Sequence, residues 1–131
     1  MANLIWPAIL TLLTLVLLIG VAGNVARCRG RYGVAAPATT GHPLFERAYR
    51  VQMNTIEGTL LFLPALWLAA QWGGATLIAG AGALWLGARV LYAVSYMKDP
   101  AKRSLGFGLS MFAVGVLMVK AAIGIGIVLL G

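Results

Sequence analysis

From Gly58 to Ala88 the chain runs 31 residues without one Asp, Glu, Lys or Arg. A membrane's hydrocarbon core is ~30 Å thick and is crossed by a helix of ~20 apolar residues. Inside it every backbone polar group must be satisfied within the protein, which leaves helices and closed barrels. The apolar runs here are continuous rather than alternating, so helices are expected and a barrel is not. Of 131 residues, 61% are hydrophobic and 10% charged, against about 25% charged in an ordinary soluble domain. The length holds at most four spans of ~20 to 25 residues. The expected fold is therefore all-α: an integral membrane four-helix bundle forming a single domain over residues 1–131. A bundle this thin has little interior, so a homo-oligomer is expected.

Punctuation in the sequence places the spans. Helix 1 is expected from about Asn3 to Arg27, with Pro7 tolerated in its first turns, followed by a basic, Gly- and Pro-rich loop from Arg29 to Pro43. Helix 2 is expected from about Phe45 to Ala70, bent at Pro64. After the turn Gln71-Trp72-Gly73-Gly74, helix 3 is expected from about Ala75 to Met97, stopped by Pro100. Helix 4 is expected from about Arg103 to Leu130. No basic segment precedes the first apolar run, so it reads as a retained helix rather than a cleaved signal. Cys28 is the sole cysteine, which excludes an intrachain disulfide. It stands between two arginines, and a spectator role is the plainer reading.

The net charge of +7 suggests nucleic acid until the basic residues are located. In an antiparallel arrangement Arg27, Arg29, Arg31, Arg47, Arg50, Lys98, Lys102 and Arg103 all fall on one side of the membrane. They flank or enter spans, so topology and an anionic ligand explain them better than nucleic acid does. The positive-inside rule makes that side cytoplasmic and puts both termini on the other, with Trp6 and Trp72 at the outer interface.

Charge also enters the start of helix 2. Arg47, Arg50, Asn54 and Glu57, three charges and an amide, fall within an arc of roughly 80° at 3.6 residues per turn. Ionisable groups at membrane depth are costly and mark sites or partners. Helix 3 repeats the pattern: Arg89, Tyr92, Tyr96 and Asp99 have the spacing of Arg47, Arg50, Asn54 and Glu57. Counted at ~1.5 Å per residue, Glu57 and Arg89 reach one depth, where an ion pair is expected. Gly106-x-x-x-Ser110 on helix 4 suits close helix packing. The only histidine, His42, falls in a loop, so no metal site is expected.

A cytoplasmic cleft with Arg, Tyr, Asn and one Glu suits a small zwitterion with extra carboxylates. Arginine holds carboxylate in bidentate fashion, Glu57 can hold an ammonium group, and tyrosine hydroxyls can orient a sulfur or oxygen anion.

The segment Phe45-Glu46-Arg47-Ala48-Tyr49-Arg50-Val51-Gln52-Met53-Asn54-Thr55-Ile56-Glu57 resembles the second-helix signature of the MAPEG family, membrane proteins of eicosanoid and glutathione metabolism. The likeness extends to Thr39-Thr40-Gly41 in the first loop and to Ala88-Arg89, Tyr92, Tyr96 and Arg103. It implies a homotrimer that binds glutathione between subunits near the cytosolic side, as co-substrate and with no metal. It implies glutathione-binding roles for Arg29, Arg50, Gln52, Asn54, Glu57, Tyr92 and Tyr96. Gln52 points roughly 160° from Asn54 on an ideal helix, toward a different neighbour. The likeness implies that Arg103 stabilises the glutathione thiolate, with Tyr92 as the second catalytic candidate. The electrophile would be a lipophilic compound or a lipid hydroperoxide drawn from the membrane lipids. One departure is Gly58, where the synthase-like pattern has a tyrosine. A second is Gly30, where that pattern has a basic residue. Both argue against a leukotriene substrate.

The leading expectation is thus a membrane glutathione transferase, with possible peroxidase activity. A non-catalytic lipid-binding relative is the first alternative. A small multidrug transporter coupled through Glu57 is the second, disfavoured because the surrounding arginines hold a carboxylate ionised.

Overall fold

The computed structural model describes residues 4–131. Four long helices follow one another: α1 (Ile5–Tyr32), α2 (Pro43–Ala70), α3 (Ala75–Lys98) and α4 (Ser104–Leu130), with a 3-10 turn over Pro100–Arg103 leading into α4. All four are long and apolar enough to cross a membrane. The expected start of helix 1 at Asn3 lies outside the described residues.

The sequence signals at each end explain the boundaries. Helix α1 continues past Arg27 through Arg29 and Arg31, five residues beyond the expected end. Cationic side chains in a last turn favour the helix dipole rather than ending the helix. Gly33 ends it, at φ 67°, with the Val34 N–H returning to the Arg29 carbonyl at 3.1 Å. That left-handed conformation is one glycine adopts freely. Helix α2 begins at Pro43, and His42 is its cap: His42 Nδ1 accepts from the Leu44 N–H at 3.1 Å. His42 also stacks on Tyr32, ring centroids 3.9 Å apart. It is therefore a structural staple between α1 and α2 rather than a free loop residue. Asp99 ends α3 and accepts from the Ala101 N–H at 3.0 Å, which seeds the 3-10 turn.

The core lies between α2, α3 and α4, with α1 packed along α2 and α3. Phe62 and Trp85 stack face to face with centroids 4.0 Å apart, surrounded by Leu10, Leu66, Ile78, Val114 and Leu117. Such aromatic pairs contribute ~0.5 to 1.5 kcal/mol beyond the area they bury. Small residues set the closest approach of α3 and α4. A Cβ on Gly106 would stand 2.6 Å from the Tyr92 nitrogen and 2.9 Å from the Ala88 carbonyl, so only glycine fits there. The expected small-residue contact at Gly106 and Ser110 thus forms, and it sets Ser110 beside Arg89. Large apolar side chains such as Leu12, Ile19, Leu60 and Leu129 point outward, as lipid or a neighbouring copy requires.

Candidate active site

Arg89 is the centre of the polar interior. Its side chain is 2% exposed, and it ties three helices together. Nη2 donates to Asn54 Oδ1 at 2.8 Å and to Thr55 Oγ1 at 3.0 Å on α2. Nη1 reaches Ser110 Oγ on α4 at 3.5 Å. The guanidinium lies 4.3 Å from the centroid of the Tyr92 ring on its own helix. Burying a cation is costly unless its hydrogen bonds are supplied, and this arrangement supplies most of them.

The expected Glu57–Arg89 ion pair does not form: the acceptors of Arg89 are neutral, and Glu57 is on the exposed face of α2. Axial depth alone does not fix a partner, because a long side chain can fold back toward the preceding turn of the facing helix. Asn54 and Thr55 sit there, nearer the arginine's reach.

Two cavities open from this point. The outer one, about 370 Å³, is lined by Asn54, Tyr92, Arg103, Ser104 and Phe107. The inner one, about 280 Å³, shares Asn54 and Phe107 with it and reaches Glu57, Gly58 and Arg89. The stripes of α2 and α3 therefore do meet, and Arg103 at the start of α4 joins them. Tyr92 is buried and Tyr96 half-buried, their ring centroids 5.6 Å apart. Arg50, Glu57 and Arg103 are exposed.

Arg50 and Tyr96 line neither cavity, although Tyr96 packs beside Tyr92, and further expected site residues stand apart from both cavities within one chain. Arg29 donates to the Ala38 carbonyl at 2.7 Å and lies 4.6 Å over the Phe45 ring, holding the α1–α2 loop against α2. Gln52 is half-buried and lines neither cavity. Arg47 belonged to the stripe by its angle, yet its guanidinium donates to the Met97 and Lys98 carbonyls at 3.0 and 3.1 Å. It caps the C-terminus of α3, where helices leave carbonyls unsatisfied. Thr55, Ser104, Phe107 and Ser110 escaped the sequence reading as site residues. Ser110 was visible only as a packing residue, and Thr55 sits one position off the stripe.

Among the described residues no group of three or more His, Cys, Asp and Glu side chains is placed to hold a metal. Cys28 is buried between α1 and α2 among Val25, Phe45 and Ala48.

A profile of the MAPEG family matches residues 5–123, which take in all of α1 to α3 and most of α4. The chain belongs to the MAPEG family. Its relatives within MAPEG include an uncharacterised protein of Synechocystis, 45% identical over 123 residues, covering 94% of this chain and 90% of the relative. Human microsomal glutathione S-transferase 2 is 34% identical over 102 residues, covering 78% of this chain and 69% of the relative. Bovine leukotriene C4 synthase is 35% identical over 102 residues, covering 78% and 68%. As a MAPEG member with four spanning helices, the chain is an integral multi-pass membrane protein.

Proposed function

We propose that this MAPEG protein is a membrane glutathione transferase that ionises the glutathione thiol in the outer cavity and conjugates it to lipophilic electrophiles. The observation that carries this reading is the convergence of Asn54, Tyr92 and Arg103, from three different elements, on one cavity. Relatives named as a glutathione S-transferase and as leukotriene C4 synthase support it.

The chemistry needs little machinery. Thiolate is the nucleophile, and a free thiol has a pKa of about 8.5. Arg103 beside the sulfur favours the charged form, each unit of lowering representing ~1.4 kcal/mol of preferential stabilisation. The buried ring of Tyr92, packed under Arg89, is rigidly placed and can offer its hydroxyl to the same sulfur. Arg50 and Tyr96 take the peptide's carboxylates and backbone. Glu57 takes its ammonium group. Asn54 has spent its oxygen on Arg89, which leaves its amide N–H groups facing the ligand.

Arg29 and Gln52 complete the site from a neighbouring subunit, in a homotrimer. The breadth of apolar surface left uncovered supports that arrangement. The basic end of the bundle faces the cytoplasm, where glutathione is supplied, and both termini lie on the opposite side. The electrophile enters from the bilayer, which concentrates apolar compounds beside the site.

The test is thiol-dependent conjugation by the purified protein in nanodiscs, with glutathione, cysteine and coenzyme A compared. The reading expects turnover with glutathione well above the other two. Equal turnover with all three, or none, overturns it.

A further inference from the structure

Lys120 has no part in the transferase site. Of the 10 Lys and Arg residues, all the others gather at the basic end of the bundle except Arg89, which is in its polar interior. Lys120 is far along α4. It stands ~15 Å beyond Ser110, which marks the level of Arg89. One turn farther out, Trp72 of the α2–α3 turn packs on Gly124, where a Cβ would overlap its ring. Lys120 is therefore ~6 Å inside the level of that turn. Backbone that leaves a helix needs water or headgroups, so the turn marks the membrane interface. The Lys120 side chain is half-buried in a groove of about 450 Å³ between α3 and α4. Leu77 on α3 and Phe112, Gly115, Val116 and Ile123 on α4 line it. It runs ~16 Å along α4 from Phe112 to Ile123. Phe112 is about 140° around the helix from Phe107, so the groove lies on another side of α4 from the two cavities of the active site. Phe112, Val119 and Ile123 are exposed, and nothing lies within 4 Å of where a Cβ on Gly115 would stand.

A cation at membrane depth is costly without a counter-charge. The chain has 3 acidic residues. Glu46 and Asp99 are at the basic end, at the start of α2 and the end of α3. Glu57 borders the inner cavity, within a turn of Asn54 and the level of Arg89, and so about 10 Å short of Lys120 in depth. Copies arranged in a ring about an axis across the membrane keep equal depths, so a neighbouring copy brings no carboxylate to Lys120 either. We propose that the α3–α4 groove binds a net-anionic phospholipid of the leaflet on the side of the α2–α3 turn. One acyl chain lies along Val116 and Phe112, and the phosphodiester meets Lys120. The four-carbon stem of the lysine carries its ammonium back to the interface, where headgroups stand. Head toward Ile123 and tail toward Phe112 is also the direction a lipid of that leaflet takes. A phosphodiester has no neutral form near neutral pH and keeps its charge beside apolar side chains, where burial would protonate the carboxyl of a fatty acid. The site is independent of the transferase reading.

The experiment gives the purified protein, in detergent, phosphatidylglycerol and phosphatidylcholine with the same acyl chains, and reads the retained lipids by native mass spectrometry. Wild type is expected to retain phosphatidylglycerol over phosphatidylcholine. Lys120→Leu lowers that preference about fivefold, the effect of one lysine beside an anionic lipid, and Lys120→Arg keeps it. Gly115→Phe, which leaves the charge in place and fills the groove, lowers phosphatidylglycerol retention as well. Lys102→Leu, at an exposed position of the basic end, changes the preference less than about twofold. Equal retention of the two lipids by wild type, an unchanged preference in Lys120→Leu, or a loss in Lys120→Arg as large as in Lys120→Leu overturns the site. An equal loss in Lys102→Leu assigns the preference to overall charge and overturns it too. A changed oligomer size in Gly115→Phe makes the groove an interface between copies, and displacement of phosphatidylglycerol by equimolar laurate makes the occupant a free fatty acid; either result refutes the phospholipid site.

Discussion

Replacing Arg89 with methionine removes the clasp between α2, α3 and α4 while keeping an unbranched, apolar stem. Two of its hydrogen bonds are short, at 2.8 and 3.0 Å to Asn54 and Thr55. Interhelical hydrogen bonds in membrane proteins average ~0.6 kcal/mol and reach ~1.7. The contact to Ser110 at 3.5 Å is at the limit of a real bond and adds little. The stack on Tyr92 contributes a further ~0.5 to 2 kcal/mol. Against this, methionine removes the desolvated cation and its unpartnered Nε. The acceptors left behind are mostly provided for: Ser110 Oγ still donates to the Phe107 carbonyl at 2.7 Å, and Asn54 faces a cavity. The balance is a loss of about 2 kcal/mol, near thirtyfold in the folded-to-unfolded ratio at ~1.4 kcal/mol per decade. Reversible unfolding in mixed micelles, followed by tryptophan fluorescence, measures it, since Trp85 packs one turn from Arg89 on the same helix. Arg89→Lys, which keeps the charge but not the planar fork, should fall between wild type and Arg89→Met. A methionine variant as stable as wild type refutes the clasp.

Three further outcomes are expected. Arg50→Ala weakens glutathione binding by about 1.5 to 3 kcal/mol, the range for a hydrogen bond to a charged group; isothermal titration of a folded variant giving unchanged affinity removes Arg50 from the site. The mass in mild detergent is that of a trimer, and a monomer or dimer alone counts against assembly of the site between subunits. In intact cells a membrane-impermeant thiol reagent labels Gly74→Cys, whose position is open, and misses Arg31→Cys. The reverse pattern turns the proposed topology over, while the buried Cys28 stays silent in both.

The spans were legible because lipid demands continuous apolar helices, and the stripe was legible because 3.6-residue periodicity puts Arg50, Asn54 and Glu57 on one side of α2. What the sequence concealed depends on side-chain reach and on capping. Arg89 was placed at the right depth but given Glu57 as its partner, since axial counting ignores the length of a guanidinium side chain and the neutral acceptors beside it. Arg47 had the stripe's angle, yet one turn inside α2 it faces the last carbonyls of antiparallel α3; the rule that cations satisfy helix C-termini could have found it. The arginines at the end of α1 read as loop, although the real terminator was Gly33. His42 read as a loop residue because a cap and a ring stack each need a partner that only the folded chain supplies.

The central claim is that the outer cavity binds glutathione and ionises it, with Arg103 beside the sulfur. Thiolate absorbance of bound glutathione, titrated against pH in wild type and Arg103→Ala, tests it most directly. The account predicts a wild-type thiol pKa well below the free value of about 8.5. Thiolate is then present at neutral pH, and in Arg103→Ala the transition moves up by about one unit or more. The variant's turnover at neutral pH falls accordingly and recovers as pH rises through the new pKa, while its glutathione affinity changes less than its rate. A bound thiol that titrates at the same pH with and without Arg103 contradicts the assignment and passes the role to Tyr92. A thiol that stays un-ionised at neutral pH in wild type contradicts the account as a whole.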